Sequence, residues 1–272
     1  MNAEWVRPRF RLAPYIDVAK TAMALEATYR FDVFSNIASA LVRIYILRTV
    51  WVALYTFNAA PAGLPLHSII TYSTIAMLMS LVMDIDQTRA LHSSLHDGNI
   101  ITDFTKPLNL PLYFFANGTG EVLFHAVLIL PSLAFALLIV HIDVPSAPAL
   151  AAFFVSFVLG YFVGFFVNFI LNCTAFWTLE ISAIQMIVTW VTDIAGGELI
   201  PLVLFPTALQ QVLMFLPFAA MFSTPLLIYI GTIAPSHYLE AIGFQVFWLA
   251  ILAGFSFVIW RSGVRRLVVQ GG

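Results

Sequence analysis

Residues 196–238 read GGELIPLVLFPTALQQVLMFLPFAAMFSTPLLIYIGTIAPSHY, and this stretch decides how the chain is organised. It carries no Asp, Glu, Lys or Arg from Ile200 to Ser236 and is too long for one helix, yet it is interrupted by Pro201, Pro206, Pro217, Pro225 and Pro235. Proline removes a backbone donor and clashes with the preceding turn. At membrane depth such a run persists only where protein or water satisfies its backbone. We therefore predict a re-entrant helical hairpin with part of a long span; the alternative is one more ordinary span.

The composition explains why membrane depth is the relevant environment. The 272 residues are 61% hydrophobic and 10% charged, whereas soluble domains are roughly 45–50% apolar and about 25% charged. Lipid must therefore solvate most of the surface, which excludes a soluble enzyme, a nucleic-acid binder and a disordered chain. The net charge of -2 indicates no bulk electrostatic partner. The single cysteine, Cys173, excludes a disulfide framework and a multi-cysteine metal site.

Six apolar stretches approach the roughly 20 residues that a helix needs to cross a bilayer. They are residues 36–57, 67–83, 122–141, 147–173, 181–194 and 241–260. We predict an all-α membrane protein with six transmembrane helices in a single domain, residues 1–272. An additional ordinary span within residues 196–238 would make seven.

The lysines and arginines predict the orientation. Of the twelve, five precede the first span and three follow the last, while Arg89 and Lys106 lie between spans two and three. The positive-inside rule then places both termini and the loop 84–121 in the cytoplasm. Residues 14–32 resemble an amphipathic helix that lies in the membrane interface, so residues 1–35 are predicted to form a cytoplasmic tail and this interfacial helix. No signal peptide is recognisable.

The chemistry of ATP hydrolysis is not apparent in this sequence. A P-loop needs a glycine-rich loop before a Lys-Ser/Thr pair, and neither Lys20 nor Lys106 follows one. His92 and His96 have the four-residue spacing of a two-ligand metal face, but solvated loop histidines are the simpler interpretation. We expect no metal, no cofactor bound by this chain and no catalytic activity.

The loop before the third span contains a segment with the shape of a docking helix. Residues 96–108 read HDGNIITDFTKPL, in which Asp97-Gly98 is a turn signal and Pro107 would end a short helix. Ile100, Ile101 and Phe104 would form an apolar face beside charged residues, as in helix-in-groove recognition. The alternative is a loop helix that lies against the membrane.

The order of this segment (turn glycine, Ile, Asp, aromatic, basic-Pro-Leu) resembles the loop after span two in type-two ABC exporter permeases. The resemblance is strongest to the branch encoded with an ATPase and often a second permease. Further matches occur in the expected order: Tyr29-Arg30, Ala175-Phe176-Trp177-Thr178, Gly196-Gly197, Ile200-Pro201-Leu202, Phe205-Pro206 and Leu216-Pro217-Phe218. One departure is His96, because similar sequences often carry an arginine two residues before the turn glycine.

The resemblance implies a permease that works as a dimer, with itself or a sister chain, in the plasma (inner) membrane. Each permease would rest on a separate ABC ATPase that binds ATP and Mg. The coupling residues would be Asp97, Gly98, Asn99, Ile100, Ile101, Asp103, Phe104, Lys106 and Pro107. The re-entrant hairpin, on the outer side, would include Gly196, Gly197, Glu198, Pro201, Pro206 and Pro217. Membrane lipid is another expected partner, and no nucleic acid is expected to bind.

The expected substrate is an amphipathic or hydrophobic drug, peptide or lipid that is moved outward. Arg43 and Arg48 lie inside the first span, where a charge costs at least ~2.5 kcal/mol and usually faces protein or water. Arg43 is expected either to reach the headgroups or to line the path, and Arg48 to line the path or to reach Asp84 or Asp86. Asn168 and Asn172 either line the path or join helices. The rival function is an ATP-independent secondary transporter, which would need ionisable relays near the midplane.

Overall fold

The structure is a computed structural model that describes residues 12–28, 30–57, 63–83, 88–178 and 180–270. These residues form helices and connecting turns, with no strand in the ranges described. The helices are α1 (Ala13–Glu26), α2 (Arg30–Phe57), α3 (Leu66–Met83), α4 (Arg89–His96), α5 (Ile100–Asp103), α6 (Leu110–Phe135), α7 (Ala147–Cys173), α8 (Ser182–Ala195), α9 (Thr207–Phe215), α10 (Pro217–Met221), α11 (Ser223–Tyr229) and α12 (Tyr238–Gln270).

Among the described residues, five helical stretches are long and apolar enough to cross a membrane, so the chain is a multi-pass membrane protein. They are Phe34–Thr56, Leu66–Met83, Leu110–Val140, Ala147–Phe176 and Pro235–Arg266. The fifth of the six predicted spans corresponds to α8, which has only 14 residues. At 1.5 Å per residue it is about 21 Å long, less than the ~30 Å of a bilayer core. The bounds of α8 agree with the predicted stretch 181–194, but the predicted count of six transmembrane helices is not confirmed, because only five described helical stretches are long enough to cross a bilayer.

The third long helix begins earlier than the hydropathy pattern predicts. Helix α6 begins at Leu110 and continues through a π-helical turn to Val140. Its start is set by Asn109, whose side chain accepts a hydrogen bond from the Leu112 backbone N–H at 3.3 Å, as an N-cap does. The loop predicted over residues 84–121 therefore ends at Asn109. Within the helix, the Asn117 amide donates to the Glu121 carboxylate at 2.8 Å, one turn later.

Helix α1 overlaps the amphipathic helix predicted over residues 14–32 but ends at Glu26, and it packs along the first half of α6. The contact is close because α6 presents Gly120, where a Cβ would collide with the backbone of Ala19. The apolar side chains of Ile16, Met23 and Leu25 remain exposed. The predicted tail, residues 1–11, lies outside the described residues, as does Tyr29.

The main core surrounds α3, whose side chains are buried along most of its length. Tyr72 of α3, Val163 of α7 and Phe222 between α10 and α11 are essentially inaccessible. Helices α2 and α12 contact this core along one side, through Ile44 of α2 and Leu249 and Leu252 of α12. Elsewhere each exposes many apolar side chains, as expected for helices that face lipid.

A second core lies at the opposite end of α7, and we call it the loop cluster. It joins the connecting helices α4 and α5 to α6, α7 and α12. Its buried members are Leu91, Ile100, Leu110, Phe114, Phe165, Phe169, Cys173 and Phe176. The ring of Trp260 on α12 packs against Phe169 and Phe176, with centroids 5.8 and 5.6 Å apart. The segment between α3 and α6 is therefore packed into the bundle as an integral part.

The proline-rich segment forms three short helices instead of one long one. Pro206 and Pro217 each stand at a helix start, where the missing N–H costs nothing. Helix α10 lies so close to the middle of α7 that a Cβ on Gly160 would be 2.7 Å from the Met221 carbonyl oxygen. At the far end of α11 the Tyr229 hydroxyl donates to the Asp143 carbonyl at 3.0 Å, in the loop between α6 and α7. Helices α10 and α11 therefore extend from mid-bundle to that end.

Candidate functional site

The loop between α3 and α6 is closed by a polar clamp centred on Asp103. Gly98, with φ +74°, reverses the chain between α4 and α5. The Ser94 hydroxyl of α4 donates to Asp103 Oδ2, and Lys106 Nζ lies 2.7 Å from Asp103 Oδ1. Lys106 Nζ also lies 4.3 Å from the Tyr113 ring centroid, a cation–π distance. Asp103 is buried, so its carboxylate fixes the loop internally.

The clamp also affects the charge state of the lysine. The hydrogen bond to the Asp103 carboxylate raises the pKa of Lys106 above its ordinary value, because it favours the charged ammonium. Lys106 therefore stays charged throughout the neutral range.

The predicted coupling residues divide into an inner and an outer set. Ile100 is 3% exposed and belongs to the loop cluster, whereas its neighbour Ile101 is 72% exposed. Phe104 is half-exposed and its ring lies 6.5 Å from that of Trp260. The remaining exposed members are Asp97, Gly98, Asn99 and Pro107. Ile100 and Asp103 therefore face inward together, and Ile101 is the large apolar side chain that the loop presents outward.

A polar cavity of about 470 Å³ opens between α4, α7 and α8 and reaches Met221 of α10; we call it the α7–α8 cavity. Of the residues predicted from sequence it contains Asn168. Its other polar wall residues are Arg89, His92, Gln185 and Asp193, with the hydroxyls of Ser93, Thr189 and Thr192. A cavity with polar side chains between apolar helices can hold water or a polar part of a ligand.

Asn172 lies outside the lining of this cavity, in a network that joins helices. Its side chain is fully buried. The Asn172 amide donates to Thr88 Oγ1 at 2.6 Å, and the Gln185 amide donates to Asn172 Oδ1 at 2.9 Å. The residue therefore connects α7 with α8 and with the start of α4. Of the two roles open from sequence, this arrangement supports the joining of helices.

A second polar cavity, of about 450 Å³, lies between α2, α3 and α6 near the end of α1; we call it the α2–α6 cavity. Arg43 lines it. The other charged or titratable residues in its wall are Glu26, Arg89, Glu121 and His125, none of which the sequence singled out. Arg89, the first residue of α4, thus borders both cavities.

Arg48 occupies a different position on α2. It lies one turn after the fully buried Ile44 and three residues before Trp51, whose indole N–H donates to the Ser73 hydroxyl of α3 at 2.8 Å. This spacing places Arg48 on the face of α2 that is turned toward α3. Its predicted partners, Asp84 and Asp86, lie outside the described residues.

The residues predicted for the hairpin surround the turn after α8. The Tyr72 hydroxyl of α3 donates to the Gly197 carbonyl at 2.7 Å. Gly196 is enclosed, since a Cβ there would meet the Phe218 carbonyl oxygen at 3.2 Å. Glu198 is partly buried beside this turn and Pro201 is buried. The turn, α3 and α10 therefore meet at one point.

The described residues contain no group of three or more His, Cys, Asp or Glu placed to hold a metal ion. The rings of His92 and His96, the spaced pair noted above, have centroids 6.0 Å apart.

Comparison with known proteins gives one match. A family model described as ABC-2 family transporter protein matches residues 41–271, which is most of the chain. Neither the curated proteins nor the solved structures contain a significant match.

Proposed function

The chain belongs to the ABC-2 family of transporter proteins, and on this premise we propose that it is the membrane-spanning subunit of an ATP-driven exporter. The observation that carries the proposal is the exposed Ile101 on a loop that is clamped by Asp103 and built into the bundle. Such a loop can transmit a movement of a partner subunit to the transmembrane helices. ATP and Mg would bind to the partner ATPase.

The mechanical route begins at the α4–α5 loop. An ATPase groove would receive Ile101 together with the exposed edge of Phe104, since apolar anchors on short helices bind in this way. Behind them, Ile100 packs in the loop cluster and the Phe104 ring faces Trp260 of α12. A displacement of the loop would therefore reach α7 and α12 directly.

The proposed hairpin consists of α9 and α10–α11. The Trp248 indole N–H, about ten residues into α12, donates to the Phe215 carbonyl at the end of α9 at 3.0 Å. Tyr229, at the end of α11, lies beside Asp143 in the α6–α7 loop. The end of α9 thus lies partway along α12, and α11 ends on the side of the α6–α7 loop, which supports a re-entrant segment on that side. With the α4–α5 loop in the cytoplasm, as the positive-inside rule requires, this side is the outer one and both termini are cytoplasmic.

The α7–α8 cavity is the proposed half of a translocation path that a second permease, identical or a sister chain, completes. Asn168, Gln185 and Asp193 would contact the polar part of an amphipathic substrate. The exposed apolar face of α8, with Ile187 and Trp190, would contact its apolar part. Arg48, on the side of α2 that is turned toward α3, is proposed to line a separate part of the path, where its charge faces protein or water.

Affinity purification in mild detergent from plasma membranes tests the proposal. Wild type should co-purify a P-loop ATPase, identified by its peptides, and Ile101→Asp should lose it. The matched control is Val144→Asp, which alters a side chain of similar exposure, 69%, in the α6–α7 loop at the other end of the bundle. This control should retain the ATPase.

Two results would contradict the proposal. Retention of the ATPase by Ile101→Asp would show that the loop does not dock it. Absence of any ATPase from wild type, even after crosslinking, would favour the rival function, an ATP-independent secondary transporter. Transport driven by a proton or sodium gradient in vesicles would then be measured.

A further inference from the structure

The α2–α6 cavity contains charges of both signs at one level of the bundle. Arg43 and Arg89 carry guanidinium groups, while Glu26 and Glu121 carry carboxylates. Ionisable side chains between membrane helices are costly. They usually pair with one another or mark the place where a polar substrate or ion binds. The deeper wall of the same cavity is apolar and includes Met77 and Leu128.

The lengths of the helices place this cavity at the level of lipid headgroups. The long helix leaves the apolar region after Val140, close to the exposed Asp143. Glu121 lies 19 residues earlier in that helix, about 28 Å along its axis, which is nearly the ~30 Å thickness of the hydrocarbon core. Glu121 therefore lies at the opposite boundary of the core.

The positions of two neighbouring helices indicate the same depth for the cavity in the bilayer. The Trp51–Ser73 hydrogen bond sets the register of α2 against α3, so Arg43 lies beside Ser80 and Leu81, close to the end of α3 at Met83. Helix α1, which carries exposed Asp17 and Lys20, contacts α6 at Gly120, next to Glu121.

We propose that the α2–α6 cavity binds the headgroup of a zwitterionic phospholipid with a primary ammonium, that is, a phosphatidylethanolamine. Arg43 and Arg89 bind the phosphate, since guanidinium groups suit its geometry. The carboxylates of Glu121 and Glu26 accept hydrogen bonds from the ammonium, which has three donors. An acyl chain follows Met77 and Leu128 toward the bilayer centre.

The chemistry of the wall distinguishes among phospholipids. A choline headgroup has no N–H donors and is best held by aromatic faces, but the described wall of the cavity includes no Phe, Tyr or Trp. An anionic headgroup without an ammonium would satisfy the arginines and leave the two carboxylates facing another anion. A primary ammonium beside a phosphate complements both pairs.

The Glu121 carboxylate is positioned for this task. Its Oε1 accepts a hydrogen bond from Asn117, one turn earlier in α6, at 2.8 Å. A carboxylate has about four acceptor sites, so this bond orients the group while it accepts others. On the next turn, His125 Nδ1 lies 3.0 Å from the Glu121 carbonyl oxygen, which holds the imidazole at the same wall.

Native mass spectrometry of the purified, delipidated chain tests the assignment. Phosphatidylethanolamine, phosphatidylcholine and phosphatidylglycerol with identical acyl chains are added back separately. Wild type should retain phosphatidylethanolamine at least about fivefold better than either of the others. Glu121→Gln should lose the preference over phosphatidylcholine, and Arg43→Gln should lose binding of all three. Arg261→Gln removes an exposed arginine of α12 and should behave as wild type.

Equal retention of the three lipids by wild type would overturn the proposal, as would equal losses in Arg43→Gln and Arg261→Gln. If Glu121→Gln fails to fold, as judged by gel filtration and helix content, Glu26→Gln at the end of α1 replaces it. Soluble glycerophosphoethanolamine forms a further arm. Binding as tight as that of the lipid would assign the site to a free solute and overturn the lipid assignment. None of these measurements needs an ATPase, so the result stands apart from the proposed transport function.

Discussion

The hydroxyl group of Tyr72 on α3 donates a 2.7 Å hydrogen bond to the carbonyl oxygen of Gly197, 125 residues later in the chain. Gly197 has a positive φ of +81°, and a Cβ there would lie 2.9 Å from the same hydroxyl oxygen. Both residues are buried. The turn that ends α8 is therefore attached to the most enclosed long helix of the bundle.

Removal of this hydroxyl should destabilise the protein. Tyr72→Phe keeps the ring but leaves the Gly197 carbonyl without this donor, at a cost of about 1–3 kcal/mol for a buried group. We expect a lower midpoint of thermal unfolding in detergent. Tyr45→Phe, at an exposed position of α2, should melt as wild type does. Identical midpoints for the two variants would show that the bond contributes nothing.

The close contact between α12 and the end of α7 gives a second prediction. A Cβ on Gly263 would collide with the Phe176 ring, whereas one on Gly254 of the same helix has nothing within 4 Å. Gly263→Ala should therefore cost about 1–3 kcal/mol through overpacking. Gly254→Ala should be neutral or slightly stabilising, because alanine favours helix. The midpoints of thermal unfolding of the two variants are compared with that of wild type. A higher midpoint for Gly263→Ala would contradict the prediction.

The two asparagines of α7 should differ in what their loss affects. Asn172→Ala removes both bonds to Thr88 and Gln185, so we expect a lower unfolding midpoint, by about 1–3 kcal/mol in stability. Asn168→Ala alters a cavity wall and should leave stability unchanged while it lowers substrate-stimulated ATPase activity in the assembled transporter. A destabilised Asn168→Ala with normal activity would reverse these assignments.

The Asp103–Lys106 clamp predicts how the loop responds to pH. Because the folded pKa of Lys106 lies above the unfolded value, about 10.4, the ion pair contributes fully below that pH and is lost as pH rises through the folded pKa. A nitroxide at Thr105→Cys should remain immobile from about pH 6 to 9 and become mobile only as the pH rises through the folded pKa of Lys106, which is higher than the ordinary lysine value of about 10.4. The native Cys173 is buried and should not be labelled.

Asp103→Asn is the control for this measurement. The substitution abolishes the ion pair at every pH, so a label at Thr105→Cys in the Asp103→Asn variant should be mobile already at neutral pH. An immobile label in that variant at pH 8 would show that the Ser94 and Lys106 contacts do not hold the loop.

The sequence predicted the helical class and most of the long helices correctly. Residues 36–57, 67–83 and 147–173 coincide with α2, α3 and α7, because an uninterrupted apolar run of that length has few other stable structures in a bilayer. The start of α6 was missed because residues 117–121 are polar or glycine. These residues are helical where Gly120 contacts α1, and α1 lies about a hundred residues earlier in the sequence.

The candidate site was only partly predictable. The docking segment was located from its turn and proline signals, but which of Ile100 and Ile101 faces outward depends on how one helical turn packs against Leu91 and Leu110. Arg89 and Glu121 were missed for a related reason. Each is an ordinary charged residue on its own helix, and the cavities that they line form only where separate helices meet.

The shortness of α8 bears on how the protein is made. A 14-residue helix of about 21 Å is too short to be retained in a bilayer on its own, so it cannot be released into lipid as soon as it leaves the ribosome. Its Gly196-Gly197 end is enclosed by Phe218 of α10, by Phe222 and by Ser223 at the start of α11, so these later segments supply the contacts that hold it. The place of α8 in the membrane is therefore coupled to segments that follow it in the chain.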